Sequence, residues 1–406
     1  MRNIREAIRW SEVMLIREMC DSCSGPLRDV FSMGSMPLAN SLLKADDLAS
    51  PGEAYPLVVA ECTECSLVQL RYVVEPEVMY SDYRFFTGAS TPNTALFRSL
   101  AQSIKQRVGS GLAIEIGSND GTLLEAMEVE GFDVAGVDPA KTHCEIARKR
   151  LTRGTTINAY WSESVAAAFA GRADVVVACN VLGHSDNLND FMSGVSRALK
   201  PNGIFVVEVQ YLQSLLEEAG FEMMYHEHVS YFDEWSLGAL LARHGFAIED
   251  WEVIDAQCGT LRMWASKTTI SMPIEFRKHD WQKFRSDLES RREYVMSRID
   301  DAISNRRPVC FYGAPAKATQ LANFWKLGTD TVELATDTTP AKQGLWIPGA
   351  LIPIVPRDQL TPAYTAIVMA WNFYRQIIAR ESEFVAAGGE LICPTLKGEP
   401  CITPTR

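Results

Sequence analysis

Positive charge is in deficit in this 406-residue sequence: 39 Lys and Arg face 51 Asp and Glu, for a net charge of −12. That imbalance repels phosphate backbones and anionic lipid, so no nucleic-acid polymer and no membrane is expected as a partner outside a local basic patch. No apolar run approaches the roughly 18 residues of a membrane span, and the mean hydropathy of −0.05 suits a soluble chain. A secretory leader is missing too. The stretch from Met1 to Met19 carries Arg2, Arg5, Arg9 and Arg17 but neither a long apolar centre nor a small-residue cleavage site. A cytoplasmic location is therefore expected, with the ten cysteines reduced or metal-bound and not disulfide-paired. The stretch itself reads as a frayed amphipathic helix, or as an extension upstream of a start at Met14 or Met19.

What is present is ordinary globular chemistry, 47% hydrophobic and 22% charged, on a chain too long for one core. Two or three domains are expected. Four of the cysteines fall in two pairs, Cys20-x-x-Cys23 and Cys62-x-x-Cys65. Two such knuckles can give four thiolates to one tetrahedral zinc ion. The 38 residues between the pairs exceed the usual ribbon spacing, but they hold their own apolar positions and a turn at Ser50-Pro51-Gly52. Unrelated buried thiols would not fall into paired spacing twice, and neither pair opens a helix after a strand as a redox pair would. Four protein ligands leave no open position, so the zinc is expected to be structural.

From Leu112 the pattern changes to an apolar run through Ile116, the turn Gly117-Ser118-Asn119-Asp120-Gly121, and a helical stretch from Thr122 to Met127. Strand, glycine turn and helix open a doubly wound α/β sheet. A second strand, Phe132 to Val137, ends at Asp138, placed to meet ribose hydroxyls. A pyrophosphate needs the middle glycine of G-x-G-x-x-G for close backbone approach, and Gly117-x-x-x-Gly121 lacks it. Glu115 and Asp120 would oppose a pyrophosphate but suit the sulfonium and amino group of S-adenosylmethionine. That donor is therefore favoured over a nicotinamide dinucleotide. Another strand, Ala173 to Asn180, leads to His184, and both Asn180 and His184 sit past its carboxyl end, where ligands bind in open α/β sheets. A plain surface loop is the other reading of His184.

The densest titratable cluster is Tyr225-His226-Glu227-His228, with Tyr231 and Phe232 beyond it and two of the six histidines within it. An imidazole is a general base near neutrality; Glu227 could orient it or hold a substrate hydroxyl, and Tyr225 could donate to a carbonyl or enolate oxygen. Structural hydrogen bonding is the bland alternative, and a metal held by His226 and His228 lacks a third ligand. Gly259-Thr260-Leu261-Arg262 reads as a turn into a strand at the edge of the sheet. A charge-rich stretch from Pro273 to Pro308, with Phe276, Trp281, Phe284, Leu288, Met296, Ile299 and Ile303 at helical intervals, reads as an amphipathic helix joining two domains. Beyond it, Val309 to Tyr312, then Gly313-Ala-Pro-Ala-Lys317 and a helix repeat the strand, turn, helix theme. Lys317 at that helix N-terminus suits an anion, and a packing or dimerisation domain is the alternative.

The order of these motifs, with Tyr312-Gly-Ala-Pro-Ala-Lys317 and Asp337-Thr-Thr-Pro-Ala-Lys-Gln343 near the end, resembles the family of S-adenosylmethionine-dependent sugar C-methyltransferases. These act on nucleotide-linked 4-keto deoxysugars, typically at C-3. The resemblance runs from Cys20 to Ile392. It implies an N-terminal extension over 1–19, a zinc-binding module over 20–80, a Rossmann-like class I methyltransferase core over 81–270, a helical linker over 271–307 and a C-terminal Rossmann-like α/β domain over 308–406 that binds a nucleotide-sugar. It implies zinc on Cys20, Cys23, Cys62 and Cys65, and the methyl donor on Gly117, Asn119, Asp120, Gly121 and Asp138; Glu115 and Asn180 join that donor set on their charge and placement. His228 becomes the catalytic base, with Tyr225, Glu227, Tyr83 and His184 in the catalytic group, and Tyr83, Asn180, Arg262 and Lys317 on the substrate. The sequence departs from the family pattern at Arg84-Phe85-Phe86-Thr87-Gly88 and at Gln257-Cys258-Gly259. An O-methyltransferase acting on a sugar or natural-product hydroxyl, and a zinc-containing binding protein without activity, are the competing functions; Glu115, Asp120 and Asp138 speak against the second.

Overall fold

An antiparallel meander opens the chain in the computed structural model, which describes residues 13–49, 52–80, 87–89, 91–256, 259–268, 277–396 and 398. Strand β1 (Met14–Ile16) pairs with β5 (Tyr72–Val74), and β2 (Leu27–Pro37), β3 (Ala54–Cys62) and β4 (Val68–Leu70) pair in sequence. The expected frayed helix therefore gives way, at Met14 to Ile16, to a strand whose Met14 is buried against Tyr55 and Val74. Along β3 the side chains of Tyr55, Leu57 and Val59 alternate into the core, the period of two that a half-covered strand imposes. The β2 and β3 register opposes Leu27 to Cys62. The long interval between the two cysteine pairs is thus a hairpin that brings its ends together. Ser50 and Pro51 of the expected turn lie outside the described residues.

The central sheet contains β6 (Leu112–Ile116), β7 (Asp133–Asp138), β8 (Thr155–Asn158), β9 (Ala173–Cys179), β10 (Leu199–Gln210), β12 (Phe246–Ile254) and β13 (Thr260–Lys267). Its order is β12-β13-β10-β9-β6-β7-β8. The five strands from β10 to β8 are parallel, and β13 runs antiparallel to both β10 and β12. Strand β13 therefore lies inside the sheet and β12 forms the edge, the reverse of the expectation that the Arg262 strand would be the edge. The burial pattern gives the reason: Thr260 to Ala265 are all buried, whereas β12 is mostly half-exposed. Chain order reverses on the two sides of β6, which makes the carboxyl ends of β6, β7 and β9 a crevice for ligands.

The C-terminal sheet, all parallel, follows the order β16-β15-β14-β17-β18, formed by β14 (Val309–Tyr312), β15 (Leu334–Asp337), β16 (Ile354–Pro356), β17 (Thr365–Val368) and β18 (Glu390–Ile392). The helix Trp281–Ser304 does more than connect. It buries Trp281, Phe284, Leu288, Arg291, Val295, Ile299 and Ala302, a stripe at intervals of three and four. The apolar ones share one core with Val30 and Phe31 of β2, Phe221, and Leu321 and Trp325 of the helix Ala316–Trp325. Further stitching comes from β11 (Ser230–Tyr231), which joins β4 with Ser230 opposite Gln69. His279 bridges Glu61 of β3, at 2.6 Å, and Asp233, at 3.0 Å, the N-cap of the helix Glu234–Arg243. Burial opposes a charge there, but the bonds to Asp233 and Glu61 prevail and push the imidazole up to about 9. The first cysteine pair also docks on the central sheet: Arg17 donates to the Asp186 carbonyl, and the Asp21 carboxylate accepts from the Leu188 N–H.

Candidate active site

The turn after β6 is built from left-handed backbone. Gly117 has φ 68°, Asn119 47° and Gly121 79°. A Cβ on Gly117 would lie 2.9 Å from the Val181 side chain, and one on Gly121 would lie 2.9 Å from Ala147, so both positions need glycine for space as well as conformation. Asp138, at the end of β7, accepts the Asn119 and Ala140 N–H groups, each at 2.8 Å. Asp120 accepts from Thr122 Oγ1 at 2.6 Å and from the Gly88 N–H at 2.9 Å, and pairs with Arg150 at 3.3 Å. Glu115 is fully buried; desolvation, with Asp138 and Asp120 nearby, pushes its carboxyl well above the usual range. Its Oε2 and the Ser118 hydroxyl are buried without a hydrogen-bond partner. The unpartnered Glu115 Oε2 and Ser118 hydroxyl call for a polar ligand between them, and S-adenosylmethionine offers hydroxyls and an amino group. The residues present fit that donor.

Past the end of β9, Asn180 is exposed at φ 53° and its N–H bonds the Glu208 carbonyl at 2.8 Å. The short turn Leu182–His184 then meets the segment carrying Tyr225 to Tyr231, with the Val229 N–H on the Gly183 carbonyl at 2.8 Å. This brings three rings together: His184 lies 5.0 Å and Tyr225 4.1 Å from His228, centroid to centroid. All three keep some exposure, whereas His226 and Glu227 are buried. His228 Nδ1 is 2.8 Å from the Met223 carbonyl oxygen. An oxygen can only accept, so Nδ1 carries the proton and Nε2 carries the lone pair. Burial, reinforced by His184, pulls His228 down to about 3, and burial pulls His184 to about 4 against a bond to the Glu227 backbone. His228 is thus a neutral imidazole with a fixed tautomer.

The other predicted residues make bonds of their own. His226 Nε2 lies 3.3 Å from the Tyr55 carbonyl, so it and His228 do not share a metal. Glu227 Oε1 accepts from Asn40 at 2.6 Å, and burial, against that bond, pushes its carboxyl up to about 7. Arg262 is held by Glu208 at 2.6 Å and by Glu252 at 2.9 Å. Lys317 is buried: its Nζ donates to Asn372 at 2.5 Å and lies 4.3 Å over the Trp371 ring, and desolvation lowers it to about 8. The structure therefore places Lys317 inside the C-terminal sheet's carboxyl edge, away from solvent. Tyr83, Arg84 to Phe86, Gln257 and Cys258 lie outside the described residues.

The four-cysteine cluster is compact. Cys20 and Cys65 sulfurs are 3.6 Å apart, Cys23 and Cys62 sulfurs 3.4 Å, and all four lie within 4.8 Å of one another. A tetrahedral zinc with metal–sulfur bonds of about 2.3 Å has sulfur–sulfur edges of about 3.8 Å. The donor set fits a closed structural zinc site, and among the described residues no other cluster of three or more such ligands occurs.

Sequence reasoning passed over Asn40, Glu222 and Arg291. Asn40 carries no local signal. Glu222 did: it is a lone acid in the apolar run Phe221-Glu222-Met223-Met224.

Comparison with known proteins covers most of the chain. Residues 20–80 match a domain described as zinc binding, 94–250 a methyltransferase domain, and 275–395 a C-methyltransferase C-terminal domain. C-methyltransferase NovU of Streptomyces niveus is 33% identical over 390 residues, which cover 90% of this chain and 92% of NovU. A ubiquinone biosynthesis O-methyltransferase of Bartonella quintana (strain Toulouse) is 29% identical over 97 residues, 23% of this chain and 39% of that enzyme. Among solved structures, the 1,6-didemethyltoxoflavin-N1-methyltransferase of Burkholderia thailandensis is 18% identical, with a TM-score of 0.35, covering 43% of this chain and 79% of that one.

Proposed function

This chain belongs to the C-methyltransferase family that includes NovU and is an S-adenosylmethionine-dependent methyltransferase with a zinc-binding module; we propose that it methylates C-3 of a nucleotide-linked 4-keto deoxysugar, with His228 as the base. The observation that carries this reading is the hydrogen bond from His228 Nδ1 to the Met223 carbonyl, which leaves Nε2 as a lone pair in a partly open site. An isolated C–H is far too weakly acidic for imidazole. A ketone on the neighbouring carbon lets the departing proton leave its electron pair on oxygen, so a 4-keto substrate is what such a base can serve.

S-adenosylmethionine, when bound along Glu115, Ser118 and Asp138, supplies a methyl carbon made electrophilic by its sulfonium. The protein's own part is to remove the C-3 proton through His228 Nε2, to donate from Tyr225 to the oxygen that gains charge, and to hold a sugar hydroxyl on Glu227. His184 and Asn180 line the same opening and complete the wall. We assign the modules as zinc binding over 20–80, donor binding over 81–270 and nucleotide-sugar binding over 308–406, with 271–307 between the last two and 1–19 ahead of the first. In this assignment Lys317 supports the nucleotide end from beneath, through Asn372 and Trp371. Orientation and water exclusion are the remaining contributions of the fold.

Purified protein incubated with S-adenosylmethionine and a panel of nucleotide 4-keto sugars should yield a product heavier by one methyl and carrying a new carbon–carbon bond at C-3 by NMR. A methyl on oxygen would replace this reading with the O-methyltransferase one, and no transfer across the panel would remove it.

Glu227 sets the pH dependence. Its carboxyl is raised to about 7, so below pH 7 it is protonated and above it is the better acceptor for a hydroxyl. His228 stays neutral through this range. The expected result is a kcat/KM that falls below pH 7 toward the level of a Glu227→Gln variant, which is slower throughout and lacks the inflection. An unchanged inflection in the variant would assign the titration to another group.

A further inference from the structure

The carbonyl that fixes His228 belongs to a turn anchored from outside the central sheet. Phe221–Met223 is one turn of 3₁₀ helix, and its middle residue, Glu222, is completely buried. Both carboxylate oxygens are taken by Arg291 of the helix Trp281–Ser304, at 2.8 and 2.5 Å. Oε1 also accepts from the Trp371 indole at 2.7 Å. Arg291 in turn donates to the Ala219 carbonyl at 2.7 Å and to that of Pro394, and Trp371 lies under the Lys317 ammonium. A buried carboxylate with this many charge-assisted bonds is fixed in place. The next residue along the chain is Met223, whose carbonyl accepts the hydrogen bond from His228 Nδ1.

We propose that Glu222 is a positioning residue for His228: the bond from Trp371 and the pair with Arg291 lock the turn, and the turn holds the Met223 carbonyl where it keeps His228 in the Nδ1–H form. The inference rests on His228 being the base. It also gives the C-terminal sheet a role in the proton step without touching the sugar, because Trp371 follows β17 and Lys317 shares its ring.

Two variants test it. Glu222→Gln retains an acceptor but removes the charge beside Arg291. Trp371→Phe removes only the indole N–H and keeps a ring beneath Lys317, so it serves where the first fails to fold. Histidine-labelled protein is read by long-range ¹H–¹⁵N NMR, with the His228 signals assigned by their loss in His228→Asn, and kcat, KM and donor affinity are measured on the same samples. The expected result is a shift of His228 from a single Nδ1–H form toward a mixture, together with a kcat lower by about 10- to 100-fold at unchanged S-adenosylmethionine affinity. A folded Trp371→Phe with wild-type kcat, or with the wild-type His228 signals, would overturn the proposal. The NMR readout needs no substrate, so a failure to find any methylated sugar would count against the substrate reading and leave the positioning claim to its own result.

Discussion

His228→Asn is expected to lower kcat by about 10²- to 10⁴-fold, the usual worth of a positioned general base, while leaving S-adenosylmethionine affinity and melting temperature near wild type. The choice of asparagine follows from the geometry. Its amide nitrogen sits close to the position of Nδ1 and can still donate to the Met223 carbonyl, at 2.8 Å in the parent, so the local fold keeps its bond. Only the Nε2 lone pair is lost. A glutamine would do the reverse, placing a polar atom near Nε2 and abandoning the carbonyl. Stopped turnover with the donor still bound would separate this loss from a collapse of the site. Near wild-type turnover in the asparagine variant would remove His228 as the base and leave Glu227, raised to about 7, as the alternative proton acceptor.

Loss of the metal is the second large effect expected. Four thiolates within 4.8 Å have no reason to stay together without a cation between them. Structural zinc is worth about 10–16 kcal/mol in isolated finger peptides, and part of that is replaced here by β2, β3 and β4 pairing. The knuckle also carries Arg17 and Asp21, which hold the Asp186 carbonyl and the Leu188 N–H, just beyond His184. Cys62→Ser, or stripping by a strong chelator, should therefore lower the melting temperature by about 10 °C or more, taking about 5 kcal/mol and the usual slope for a domain of this size. The same change should reduce zinc from one per chain to a small fraction of that by elemental analysis. Protein purified without chelator that holds well under one zinc per chain, or whose melting is unmoved by stripping, would contradict a structural zinc.

Local chemistry was the readable part of this chain. The cysteine pairs, the Gly117 to Gly121 turn and Tyr225 to His228 each declare themselves within five residues, because spacing alone brings their atoms into range. What could not be read is what folding brings together from afar. Asn40 reaches Glu227 across 187 positions, and Trp371 reaches Glu222 across 149. Neither partner stands out among its neighbours. Strand order was hidden for a related reason. An apolar run such as Thr260 to Ala265 marks a buried strand, but only the pairing with β10 and β12 shows which strand takes the edge. Lys317 shows the limit of a motif: its place at a helix start was legible, whereas its burial against Trp371 and Asn372 depends on β17, some fifty residues later. The charge of −12 takes on a narrower meaning in that setting. The proposed nucleotide-sugar is itself an anion, so local groups would draw it in against the field of the whole molecule.

The central claim is that His228 takes a proton from carbon. Its most direct measurement is deuterium wash-in at C-3 of a nucleotide 4-keto sugar, followed by NMR in heavy water with S-adenosylhomocysteine present to fill the donor site without allowing transfer. Wild-type protein should exchange the C-3 proton at a rate at least comparable to turnover, and His228→Asn should slow that exchange by the same factor as kcat. Exchange at the wild-type rate in His228→Asn would contradict the claim.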